Sequence, residues 1–147
     1  MNLMLKFSER LNELMFDNQL TVEKLSKAIE CNDSSIYDWI SGKANYMPLL
    51  VNIIKLADYF QCSIDFLIGL ENENYLPNPK FRPPFSKWFR SAIEAKGFTL
   101  YSLSRATQMG TKSFYKWING KSEPSLDSLL RIAEVLNCSL DYLVGRE

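Results

Sequence analysis

Apolar residues recur along this chain every three or four positions, and no segment alternates in the manner of a strand, so each segment reads as helix. In the C-terminal half, Phe85, Phe89, Ala92 and Ile93 form one such face, and Gly97 ends that helix as a left-handed C-terminal residue. Thr99 caps a second helix whose apolar face is Leu100, Leu103 and Ala106. A break at Gln108-Met109-Gly110 precedes a third helix, with Phe114, Trp117 and Ile118 inward and Gly120 at its end. Pro124-Ser125 opens a fourth, carrying Leu126, Leu129, Leu130, Ala133 and Leu136. Ser139 caps a fifth, with Asp141 in the first turn, where the helix dipole favours an acid. The N-terminal half repeats the pattern and predicts helices over 7–17, 22–29, 33–41, 49–60 and 63–69.

The repeat extends to residue identity. Shifted by 78 residues, 7–43 lies on 85–121 with 12 of 37 positions identical, among them Thr21/Thr99, Leu25/Leu103, Ala28/Ala106, Trp39/Trp117 and Gly42/Gly120. Shifted by 76, 48–69 lies on 124–145 with 8 of 22 identical, including Cys62/Cys138 and Asp65/Asp141. The first copy has two extra residues in Ala44-Asn45-Tyr46-Met47. Between the copies, residues 71–84 hold four prolines and predict a semi-stiff linker. The predicted organisation is a copy over 1–70, a linker over 71–84 and a copy over 85–147. Each copy is near the lower size limit for independent folding.

Composition then removes whole classes of chemistry. The 147 residues contain no His, which excludes a Ser-His-Asp triad, a His zinc ligand and a His general base. The three cysteines, Cys31, Cys62 and Cys138, form no CxxC pair and read as reduced thiols of a cytoplasmic protein. No cofactor is implied, no Gly-rich phosphate loop is present, and Glu94, Glu134 and Asp141 read as helix-surface and cap acids, so an enzyme is not expected. No run approaches the roughly 18 apolar residues of a membrane span.

Two motifs carry a resemblance. T-x-x-x-L-S-x-A, a short turn, then S-x-Y-x-W-I-x-G-K, and later C-S-x-D-x-L-x-G, occur in both copies. Together they resemble the Cro and phage-repressor type of helix-turn-helix domain, the XRE family. The resemblance implies an all-α chain of two tandem five-helix lambda-repressor-like domains. It implies sequence-specific binding of double-stranded DNA in transcriptional regulation, repression above all, with the third helix in the major groove. The chain departs from the family in two places. The turn glycine common in the family is Glu30 in one copy and Gln108 in the other, so that turn must carry a side chain. A frequent Arg–Glu pair between helices 1 and 3 is replaced by Met15/Ile40 and Ile93/Ile118.

Overall charge is zero, but its distribution is uneven. Residues 1–70 hold 6 basic and 9 acidic residues, net −3, whereas 85–147 hold 9 and 6, net +3. Phosphate neutralisation drives non-specific DNA affinity, so copy 2 is the expected reader. The family places base-reading side chains at the N-terminal end of the third helix and one turn later. In copy 2 these are Thr111, Lys112, Ser113, Tyr115 and Lys116, with Asn119 and Lys121 in reach of phosphate. Lysine donates to guanine, and threonine meets a thymine methyl or hydrogen-bonds a base edge.

In copy 1 the matching residues are Asp33, Ser34, Ser35, Tyr37 and Asp38, followed by Lys43. Carboxylates beside a phosphate backbone are costly, so copy 1 is expected to have another base preference or to serve as a surface for a homodimer or protein partner. The competing account of the whole chain is a protein-interaction, adaptor or antitoxin-like module with degenerate DNA binding. The bland reading of Lys112 and Lys116 is a solvated helix face, and of Asp33 a first-turn acid. Trp39, Trp117, Cys62 and Cys138 are expected in the core. Cys31, in the turn, is the better redox candidate, and Tyr75, Leu76 and Phe81 are expected to pack on a domain.

Overall fold

The computed structural model describes residues 2–76 and 83–147. It contains α-helices and no strand among the described residues, and it divides into two compact units, Met1–Leu76 and Pro77–Glu147. Unit 1 holds α1 (Leu3–Asp17), α2 (Val22–Ile29), α3 (Asp33–Ser41), α4 (Leu50–Phe60) and α5 (Ile64–Leu67). Unit 2 holds α6 (Phe85–Ala95), α7 (Leu100–Thr107), α8 (Thr111–Ile118), α9 (Leu126–Leu136) and α10 (Leu140–Leu143). In each unit the first helix packs on the third and the second packs on the third and fourth. The predicted caps are present: Thr21, Ser63, Ser125 and Ser139 each accept from the backbone N–H three residues on, and Thr99 and Ser102 form a reciprocal capping box.

The core follows the helical stripes. Phe7, Leu11, Leu25, Ile36, Ile53 and Leu56 are fully buried in unit 1; Phe89, Ile93, Leu103, Phe114, Leu129 and Ile132 are fully buried in unit 2. Each such side chain contributes about 1.5–3 kcal/mol relative to exposure. Trp39 and Trp117 are core residues, as expected. Cys62 is buried and Cys138 half-buried.

Several expectations need correction. α1 begins at Leu3, four residues before the predicted start, because Asn2 accepts from the Leu5 N–H and Met4 and Phe7 extend the buried stripe. Ala28 and Ala106 are identical between copies yet exposed; Ile29 and Thr107 are the buried residues of that turn. On α9, Ile132 is fully buried and Leu130 only half-buried. Unit 1 extends to Leu76. The Asn74 side chain accepts from the Ser63 N–H and donates to the Gln61 carbonyl, at 3.1 and 3.2 Å. Tyr75 and Leu76 remain exposed, so they do not pack as expected; Phe81 and the rest of the expected linker through Arg82 lie outside the described residues.

Candidate nucleic-acid interface

The α7–turn–α8 segment is built from local hydrogen bonds. Gln108, at the position of the family's turn glycine, sits in the left-handed region at φ +60°. Glu30 does the same in unit 1 at φ +57°. Both side chains are therefore accommodated at the cost of a strained conformation. The Thr107 hydroxyl donates to the Leu103 carbonyl at 2.7 Å, and Arg131 on α9 donates to the Thr107 carbonyl at 3.0 Å. The Ser104 hydroxyl donates to the Met109 carbonyl inside the turn.

α8 is then held by an aromatic cluster. Phe114 and Trp117 project inward, and the rings of Phe89, Phe114 and Trp117 lie 5.4–5.8 Å apart, with Phe85 stacked on Phe89 at 5.3 Å. Edge-to-face and offset contacts of this kind add about 0.5–1.5 kcal/mol per pair beyond burial. One face of α8 is fixed and the other faces solvent. On the solvent face Lys112, Ser113, Tyr115 and Lys116 are exposed and Thr111 is half-buried; Asn119 and Lys121, just beyond the helix, are also exposed. Residues 111–121 carry three lysines and no acid.

The matching face of α3 has the same shape and a different chemistry. Asp33, Ser34, Tyr37, Asp38 and Lys43 are exposed and Ser35 half-buried, with two carboxylates against one ammonium. Asp33 is not a free side chain. It accepts from the Ser26 hydroxyl, which ties the start of α3 to α2. Ser26 and Ser104 are equivalent positions, so one serine hydroxyl serves a carboxylate in unit 1 and a turn carbonyl in unit 2.

Sequence reasoning missed other groups. Arg105 is exposed on α7 and donates to the Tyr101 hydroxyl at 3.1 Å, a further cation on the first helix of the motif. Asp141 is not a surface acid. It is 1% exposed and paired with Arg146, itself 4% exposed. Arg10 and Trp88 hold one structural role with unlike chemistry. The Arg10 guanidinium donates to the Phe66 carbonyl, and the Trp88 indole donates to the equivalent Tyr142 carbonyl. Burial raises the Cys31 thiol above its ordinary range, against a smaller lowering by Lys55. Its thiolate fraction is thereby reduced, which weighs against the redox role.

Set against known proteins, residues 10–73 match the family model of the Cro/C1-type helix-turn-helix DNA-binding domain, and residues 89–143 match a helix-turn-helix family model. The two matches fall one on each unit. No curated protein and no solved structure matches the chain.

Proposed function

The chain is a tandem helix-turn-helix protein of the Cro/phage-repressor type and a DNA-binding transcriptional regulator, and on that premise we propose that unit 2 is its principal reader, with α8 in the major groove. The observation that carries this reading is the face of residues 111–121. It presents three lysines without an acid on a helix anchored by four aromatic rings. Lys112 and Lys116, one turn apart, are the base-edge donors; Thr111, Ser113 and Tyr115 flank them. Asn119 and Lys121 face the phosphate backbone, and Arg105 adds a cation on α7. Phosphate contacts fix register and base-edge contacts give specificity.

Repression is the regulatory sense we propose. A helix-turn-helix unit seated in the major groove can act by occupying its site. A cytoplasmic location is the one we propose alongside a role on DNA. Because the two third helices differ, the site is asymmetric or engages one head. A symmetric dimer of this motif would instead place two equal half-sites about 34 Å apart.

A second reading is favoured for unit 1. Phe16, Leu49 and Tyr46 are 83%, 71% and 71% exposed, and the α3 face is acidic. Those features suit a protein partner better than a phosphate backbone.

Fluorescence anisotropy on a selected duplex tests the assignment. Lys112→Ala and Lys116→Ala should each weaken specific binding by about 1–3 kcal/mol, and Asp38→Ala should not. Wild-type affinity in both lysine variants would remove α8 as the reader.

A further inference from the structure

The two units are internal controls for each other, and they differ where the second helix meets the fourth. In unit 2, Arg131 bridges that junction and its guanidinium donates to the Thr107 carbonyl in the last turn of α7. The equivalent residues of unit 1 are Lys55 and Ile29. Lys55 makes no such bond to Ile29; its ammonium instead stands near enough to Cys31 to act on the thiol electrostatically. The junction in unit 1 is an open groove of about 340 Å³, lined by Ala28, Ile29, Glu30, Lys55, Asp58 and Tyr59. That volume lies within the range of ligand sites, about 300–1,000 Å³.

We propose that this groove binds a guanidinium group, supplied by an arginine side chain of a protein partner. Three observations converge on that chemistry. The same place in unit 2 is already taken by a guanidinium on a helix-end carbonyl, so the backbone geometry there suits a guanidinium donor. The end of α2 brings the negative pole of a helix to the groove, and Glu30 adds a carboxylate at its rim. Tyr59, 42% exposed, offers a ring face and Ala28 an apolar wall for the methylene stem. Unit 1 as a whole is net −3, which complements a basic partner. This inference is independent of which unit reads DNA.

The test is ¹H–¹⁵N NMR of the full chain, titrated with ethylguanidinium and with a blocked Gly-Arg-Gly peptide. Both should give saturable shifts at the amides of Ile29, Glu30, Cys31 and Tyr59, and a Gly-Lys-Gly peptide should bind more weakly. Glu30→Gln should weaken the arginine peptide about tenfold, the effect of one charge-assisted contact. Lys55→Arg recreates the residue of unit 2, so it should fold, fill the groove from within and abolish the shifts. No saturable shift with either probe, or unchanged shifts in Lys55→Arg, overturns the proposal. Binding of ethylguanidinium without the peptide overturns the protein source.

Discussion

Arg146, next to last in the chain, folds back so that its guanidinium meets Asp141 in the interior of unit 2. Arg146→Ala leaves that carboxylate in place, almost without access to water. Removing one member of a buried pair costs about 3–5 kcal/mol. Solvent screening takes little from this figure, since the two side chains are 4% and 1% exposed. Residues 85–147 make a domain of 63 residues, and at roughly 0.05–0.15 kcal/mol per residue its total stability is about 3–9 kcal/mol. The substitution therefore removes from a third to all of it. With about 4–8 °C per kcal/mol for a domain of this size, Tm should fall by roughly 12–40 °C.

Unit 1 carries Leu70 at the matching position and is the internal reference. In urea melts of the full chain, the transition reported by Trp88 and Trp117 should move and that of Trp39 should stay. The double variant Asp141→Leu/Arg146→Leu, which removes both charges, should come within about 1 kcal/mol of the wild type or exceed it. DNA binding should vanish with the unit 2 transition while unit 1 is still folded. A shift below about 1 kcal/mol in Arg146→Ala would refute the reasoning, because the two groups would then be behaving as solvated charges.

Three further outcomes follow from particular residues. Replacing Lys121, the lysine that faces the phosphate backbone, should flatten the plot of log Kobs against log salt by about 0.9, the slope of one phosphate no longer neutralised, measured by anisotropy on non-specific duplex. Gln108→Gly relieves a left-handed backbone at φ +60° and should stabilise unit 2 by about 0.5–1 kcal/mol in denaturant melts; a loss would show that the Gln108 side chain itself is needed. Burial, and secondarily Cys138, raises the Tyr142 pKa, and its hydroxyl donates to the Ala92 carbonyl. The fold thus favours the phenol: this contribution is complete below the ordinary tyrosine pKa of about 10 and is lost as pH rises through the folded value. Unit 2 should lose stability above pH 10 more steeply in the wild type than in Tyr142→Phe.

Most of the fold was legible because each helix announces itself by local means. Thr99 and Ser139 cap where they were expected to, and the three-to-four spacing of Phe85, Phe89, Ala92 and Ile93 marks a helix face without tertiary information. What escaped depends on groups distant in sequence or on chemistry that changes between copies. Identity misled at Ala28 and Ala106, where a shared small residue is exposed. Unlikeness misled at Arg10 and Trp88, which donate to equivalent carbonyls, of Phe66 and Tyr142, by a guanidinium and an indole. The start of α1 was legible in Asn2, Met4 and Phe7 and was hidden only by aligning copy 1 to the shorter first helix of copy 2. At the candidate interface the expected residues are exposed, apart from the half-buried Thr111 and Ser35. The engagement of Asp33 by Ser26 was not legible, because it needs the approach of α2 to α3.

Selection of bound sequences from random duplex DNA, with wild type and Lys112→Ala/Lys116→Ala in parallel at one fixed moderate salt, tests the central claim most directly. The account predicts a single asymmetric motif enriched by the wild type and lost by the double variant. The same motif enriched by both proteins, or a perfect palindrome, would contradict it.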